Sequence, residues 1–397
     1  MCLGGLKMSE PPSKSAIVAA LAGLAPEIAQ ARAGIESNRC LPRDLVDRLR
    51  STGCFGMTLP RAFGGSELDP LEQFAVCEAA ARLDASIGWC VMIGSDAGYY
   101  SAWLDDEVTK RLWPRPDAIT AGWLMPAGRA MEVEGGGYRV SGQWQFGSGC
   151  THADVIAGGC IVVASDGSPK PGIHAGAPVE ARIALMLADE IEVVDTWHTT
   201  GLAGSGSHDY TVTDVFIPFE RTFDVLEAPR RPGPLYAFNA MFFANLAAVP
   251  IGAAQAAIDD FVELATTKLV FPAFTLMREE ARAQQAVAEA EALVGSGRAW
   301  ALEVLGELWD TLRSGNLPDE RQRARYRLSA MNACQSARQA VDRLYEAAGS
   351  SAIYAANPFD RALRDQLTIS AHLIASTRNL EPAGRVRLGL PANALMY

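Results

Sequence analysis

The chain has 397 residues, 49% hydrophobic and 20% charged, enough apolar material for a large core, which excludes a disordered tail or a disulfide miniprotein. Its 46 acidic residues against 35 Lys and Arg leave a net charge of −11, a balance that repels polyphosphate and anionic lipid and argues against nucleic acid or a membrane surface as partner. The eight cysteines (Cys2, Cys40, Cys54, Cys77, Cys90, Cys150, Cys160, Cys334) are dispersed, without a C-x-x-C pair, as free thiols in a reducing compartment are. No secretion signal is legible at the start, and a cytoplasmic location is expected.

From 8 to 117, apolar residues recur at three- and four-residue spacing. Pro42 stands near a helix start, Gly53 after a helix end, and Pro60 to Pro70 is rich in turn residues, which predicts an α-helical domain. From 118 to 222 the texture changes to β-branched runs broken by glycine. Gly135-Gly136-Gly137 reads as a hairpin turn before Tyr138 to Val140, followed by Val155 to Val163, Ile183 to Ala188 and Tyr210 to Ile217, which predicts an antiparallel β domain.

After the proline-rich stretch from Pro229 to Pro234, the chain is helical again from 223–397 as a third domain. Segments 236–270, 277–313, 318–348 and 360–389 predict a four-helix bundle, the third with Pro318 in its first turn and Gly349 as its stop. Tyr236 to Ile258 carries no charge and is long enough to span a bilayer. Asn239, Asn245, Pro250 and Gln255 within it, and Asp259 and Asp260 after it, read instead as a buried core helix.

Several chemistries lack their carriers. There is no G-x-x-x-x-G-K-[ST] loop, and Gly201, Gly204 and Gly206 lead into the β-like Tyr210 to Thr213, whereas a dinucleotide fingerprint must open a helix. The five histidines show no metal-ligand spacing, and no G-x-S-x-G elbow occurs. Two segments stand out. In Gly142 to Asp154 a strand carrying Trp144 and Phe146 on one face at period two ends in the small residues Gly147, Ser148 and Gly149, which admit a flat ligand close to the backbone with Ser148 in hydrogen-bonding reach. The plain alternative is a β-turn beside a core. In Phe359 to His372, a single histidine on a helix is either an ordinary packed residue or a proton carrier that titrates near neutrality.

Together these features resemble the acyl-CoA dehydrogenase superfamily, and within it the group D flavin-dependent monooxygenases related to 4-hydroxyphenylacetate hydroxylase and dibenzothiophene monooxygenase. The matching motifs are Leu59-Pro60 with Phe63-Gly64-Gly65, Asp84 to Trp89, Phe146 to Asp154, Trp197 with Gly201 to Asp209, Gly349-Ser350-Ser351, and Arg364-Asp365 with His372. The resemblance implies an α+β, acyl-CoA dehydrogenase-like fold: helical domain, central antiparallel β-barrel domain, C-terminal four-helix bundle. It implies an oxygenase component that takes reduced flavin, FAD or FMN, from a separate NAD(P)H:flavin reductase. With O2 as co-substrate, it hydroxylates a small aromatic or heterocyclic substrate through a C4a-hydroperoxyflavin.

By the same resemblance Ser148 donates a hydrogen bond near flavin N5, and His372 faces the flavin edge and the substrate as the second catalytic group. Trp123, Phe146, Gly147 and Ser148 flank the flavin ring, and Gly349, Ser350 and Ser351 lie near its phosphates. Arg278 and Gln284 reach the cofactor across a subunit interface of a homotetramer, and Trp89, Tyr99, Tyr100 and Phe242 line an apolar substrate pocket. No metal is implied. Three departures bear on the reaction: the carboxylate base of a dehydrogenase is missing, its Thr-Glu-Pro motif is replaced by Trp123-Leu124-Met125-Pro126, and Gly94-Ser95-Asp96 stands where several group D hydroxylases place a histidine. The alternatives are an acyl-CoA dehydrogenase with a non-standard base and a flavin-binding protein without enzymatic activity.

Overall fold

The computed structural model describes residues 10–174 and 176–392. Seven helices come first: α1 (Lys14–Gly23), α2 (Ala25–Asn38), α3 (Arg43–Ser51), α4 (Pro70–Leu83), α5 (Ala85–Gly94), α6 (Ala97–Ser101) and α7 (Asp106–Leu112). The start of α4 is written locally, because Pro70 occupies its first position and Asp69 and Glu72 form a reciprocal capping box. α5 is apolar on nearly every side and is buried accordingly. Seven cysteines are free thiols, six of them buried, and Cys2 lies outside the described residues.

The strands β1 (Thr120–Val133), β2 (Gly137–Gly147), β3 (Val155–Val163), β4 (Ala181–Leu187), β5 (Glu192–Val194), β6 (His208–Pro218) and β7 (Thr222–Phe223) form one sheet in the order β5-β6-β2-β1-β3-β4-β7. The β1–β2 hairpin turns through Gly135 and Gly136, both at positive φ. The central sheet is mixed and not purely antiparallel, because β3 returns beside β1 and runs parallel to it. β3 is accordingly covered on both faces, and its run of Val, Ile, Ala, Gly and Cys is buried almost throughout.

The C-terminal part comprises α8 (Ala248–Thr267), a short hairpin of β8 (Leu269–Val270) and β9 (Thr275–Leu276), α9 (Ala281–Arg313), α10 (Glu320–Ala348), α11 (Pro358–Ser370) and α12 (Leu380–Arg387). α8 begins twelve residues later than the hydropathy suggests, after a short 3-10 turn at Asn239–Phe243. Starting there puts Pro250 in the first turn, where its missing N–H costs nothing. Asn239–Thr267 is long and apolar enough to cross a bilayer, and its most apolar window is 83% buried inside the protein. α10 is capped by Asp319 and Gln322, so Pro318 precedes the helix rather than opening it, and Gly349 ends it at φ 62°. The predicted segment 360–389 is two helices. Between them Asn379 Nδ2 donates to the carbonyls of Leu373, Ile374 and Ser376, which satisfies groups a continuous helix would have paired.

The three parts share one core. Gly252 of α8 lies so close to α4 that a Cβ would meet the Glu78 carbonyl oxygen at 2.3 Å; Arg82–Asp259 ties the same two helices and Arg298–Glu78 ties α9 to α4, at 2.6 Å each. A buried ionic cluster ties α5, α11 and the loop that enters β6. Asp84 caps α5 through the N–H groups of Ser86 and Ile87, while its other oxygen takes Arg361 at 2.6 Å. Asp365, one turn on from Arg361, accepts from the Leu202 N–H at 2.6 Å. Burial pushes the Asp365 carboxyl up to about 7 against the pull of Arg361, with Asp84 adding like-charge repulsion.

Arg361→Met strands the Asp84 carboxylate in the core and is expected to cost about 3–5 kcal/mol in urea unfolding. Asp365→Asn, which keeps an acceptor for Leu202, is expected to stay within about 1 kcal/mol of wild type near pH 7. Because the folded Asp365 holds its proton longer than the unfolded one, its contribution is complete below the ordinary carboxylate pKa and is lost as pH rises through about 7. Wild type is therefore expected to lose stability relative to Asp365→Asn between pH 4 and 7; parallel curves would refute that reading.

Candidate functional site

β2 does not keep its alternation to the end. Its register against β6 shifts between Trp144 and Gly147, so Trp144 is fully buried under Tyr210 while Phe146, at φ 59°, is 48% exposed. The two aromatics therefore do not share a face, as period two had suggested. The bulge turns Phe146 outward beside Trp123, 5.4 Å between ring centroids, with Trp197 edge-on to it at 6.3 Å. Gly147 is needed where it stands, since a Cβ would meet Tyr210 at 2.7 Å.

Ser148 follows, buried, at one end of a hydroxyl chain. Trp89 Nε1 donates to Ser148 Oγ at 2.9 Å, and Ser148 and Ser207 hydroxyls are 2.8 Å apart. Ser207 is 2.8 Å from the Ser205 hydroxyl, which donates to the Leu202 carbonyl at 2.7 Å. An indole N–H only donates and a carbonyl only accepts, so both ends fix the direction of the chain. Ser148 gives its proton to Ser207, takes one from Trp89, and keeps a lone pair for a further donor. It thus presents an acceptor, not the donor expected from the sequence. Ser205 and Ser207 belonged to a recognised motif but had not been read as site residues; the signal was four small residues, Gly204 to Ser207, feeding into a strand.

His372 lies two residues beyond α11 rather than on a helix. Its ring meets Trp89 edge-on at 5.5 Å and Phe243 at 6.3 Å. Burial, and then the Arg327 charge, push its pKa down to about 4. Its Nδ1 accepts the Ile374 N–H at 3.3 Å, which places the ring proton of the neutral imidazole on Nε2. His372 is thus a hydrogen-bond donor at neutral pH and a poor base.

Phe242 joins the remaining pocket residues. It packs on Tyr99 at 5.4 Å and Tyr100 at 5.2 Å, and its neighbour Phe243 touches His372. Trp89, Tyr99, Tyr100 and Phe242 are all buried. The other cofactor candidates gather elsewhere. Arg278 and Gln284 are exposed and joined by a bond from Gln284 Nε2 to the Arg278 carbonyl. Gly349 and Ser350 are exposed beyond α10, Ser351 is half-buried, and Lys268 donates to the Ala348 carbonyl beside them. No hydrogen bond or ring contact among the described residues joins this second group to Ser148.

Residues 16–115 match the acyl-CoA dehydrogenase N-terminal domain model and residues 244–377 the C-terminal domain model. The chain is 30% identical over 351 residues to an indole-3-acetate monooxygenase of Acinetobacter baumannii, covering 88% of this chain and 87% of that one. It is also 30% identical over 383 residues to the oxygenase component of an FADH2-dependent resorcinol hydroxylase of Rhizobium sp., covering 90% of each. The crystal structure of a 3-HSA hydroxylase from Rhodococcus sp. RHA1 superposes with a TM-score of 0.86 at 26% identity, over 96% of this chain and 99% of that one. The chain belongs to the acyl-CoA dehydrogenase superfamily, among its flavin-dependent monooxygenases, and is an oxidoreductase that works with reduced flavin.

Proposed function

We propose that the Phe146–Ser148 turn holds the ring of reduced flavin and that the protein oxygenates a small aromatic or heterocyclic substrate lying between that turn and Phe242. The observation that carries this is the polarised hydroxyl chain ending at Ser148. Reduced flavin carries an N–H at the centre of its ring system, and a buried serine with one lone pair left over is a fitting partner for it. The outward Phe146 and the half-buried Trp123 offer apolar faces to the same flat ring.

Bound reduced flavin supplies the activation of O2. The chain's own residues bind, orient and exclude water. Trp89 connects the two polar groups, donating to Ser148 on one side and packing on His372 on the other. Neutral His372 donates from Nε2, which suits stabilising a developing oxyanion and does not suit removing a proton from a thioester substrate. This disfavours the dehydrogenase reading. A separate reductase supplies the reduced flavin, as the name of the Rhizobium relative, an oxygenase component, suggests.

The α8, α9, α10 and α11 helices would form a four-helix bundle, and the chain a homotetramer. What supports the assembly is apolar surface out of keeping with a lone chain: Phe271 is 79% exposed and Phe274 70% on the β8–β9 hairpin, near Arg278, and Ile353 and Tyr354 are exposed beyond Gly349. Covering these patches would bring Arg278, Gln284 and Gly349 to Ser351 against a neighbour, where they would reach its cofactor.

Ser148→Ala is expected to weaken reduced-flavin binding about tenfold, read by anaerobic titration; unchanged affinity removes Ser148 from the site. His372→Ala should slow product formation by about 100-fold while leaving flavin binding within threefold, in line with the loss of one oxyanion donor. Because His372 stays neutral until pH falls toward about 4, the rate it supports is expected to be flat from pH 6 to 9; a step near pH 6.5 that His372→Gln abolishes would refute the assignment. Analytical ultracentrifugation is expected to give four chains per particle, and Phe271→Asp with Phe274→Asp to break it into smaller species.

A further inference from the structure

The helical turn that packs on Phe242 carries polar groups with no partner among the described residues. Asp96 is 6% exposed, yet its carboxyl makes no hydrogen bond or ion pair with any described residue. Tyr100 lies one helical turn further on, so the two side chains share a face. Tyr100 is likewise buried as a residue, and its hydroxyl makes no hydrogen bond with a described residue. Tyr99, between them in sequence, is satisfied: its hydroxyl donates to Gln73 Oε1, which also takes Asn245 Nδ2, each at 2.9 Å. That arrangement leaves Asn245 Oδ1 buried and unpaired. Buried polar groups are almost always hydrogen-bonded, and each exception calls for a reason.

Tyr100 meets the aromatic residues that border His372. Phe242 packs on Tyr100 and its neighbour Phe243 on His372. Tyr100 therefore reaches the Phe242–Phe243 pair that borders His372, with Asp96 one turn before it at the start of α6. We infer that Asp96 and Tyr100 form a recognition pair for the substrate, taking the N–H or O–H of an uncharged aromatic ring. This rests on the oxygenase reading above and adds to it the class of ring accepted. Burial raises the Asp96 carboxyl well above its ordinary range, so an uncharged ring donor suits the pair better than a charged one. A ring whose heteroatom is methylated leaves both groups unpaired, and the site rejects it by the desolvation it fails to repay.

The test compares indole with 1-methylindole, and resorcinol with 1,3-dimethoxybenzene, by their dissociation constants from protein loaded with reduced flavin under argon. Oxygenation is then followed on admitting air. Wild type is expected to prefer the unmethylated member of at least one pair by about ten- to a hundredfold. Asp96→Ala should bring that ratio below threefold, and Tyr100→Phe should lower it by a smaller factor. Because Asp96 has no partner to lose, Asp96→Ala is expected to keep or raise the midpoint of thermal unfolding, whereas a structural acid would lower it. A wild-type ratio near one in both pairs, or variants that keep the wild-type ratio, overturns the pair while leaving the oxygenase reading intact. If Asp96→Ala is destabilised, Tyr100→Phe decides: an unaltered ratio overturns the inference. Wild type that oxygenates no ring in the set overturns the functional reading and this one with it.

Discussion

The contact on which the rest depends is the pairing of Arg361 with Asp84, joined at one remove by Asp365. Three stretches of chain far apart in sequence meet there: the start of α5, the first turns of α11 and the loop entering β6. α5 carries Trp89 and leads to Asp96. α11 leads to His372. The loop carries Leu202, Ser205 and Ser207. Trp89, His372 and the serines that orient Ser148 thus each hang from one of the stretches of this clamp, whose burial makes it intolerant of losing one partner.

The two polar groups nearest the proposed reaction share a logic. Ser148 is made an acceptor by the fixed ends of its hydroxyl chain, and His372 is made a donor by the backbone N–H that occupies Nδ1. Neither role depends on ionisation. In a cleft walled by Trp89, Phe242 and Phe243, fixed dipoles are cheaper to maintain than charges and need no rearrangement when charge develops.

Much of the architecture was legible in the chain. The glycine hairpin, the stop at Gly349 and the long apolar run at α8 are local signals, and local physics suffices to read them. The motif from Phe146 to Ser148 was found for the same reason, small residues after large aromatics. What escaped was whatever tertiary contact decides. Period two predicted Phe146 beside Trp144, but a bulge set by β6 turned it outward. The direction of the Ser148 hydrogen bond depends on Leu202, more than fifty residues away, and the break after α11 on three carbonyls collected by Asn379. In the sequence Asp96 stands out only as a departure from a pattern; its lack of a hydrogen-bonding partner is a fact of packing that no spacing reveals.

Leu202 merits a last remark. It sits at φ 49°, costly for a branched side chain, and is held there from both sides: its N–H by Asp365 and its carbonyl by Ser205 and the Trp197 indole. One residue therefore belongs at once to the helical clamp and to the serine chain. The central sheet and the C-terminal helices are for that reason not interchangeable parts: in a chimera between relatives, the loop and the acid of α11 would have to travel together, or the acceptor at Ser148 would lose its bearing.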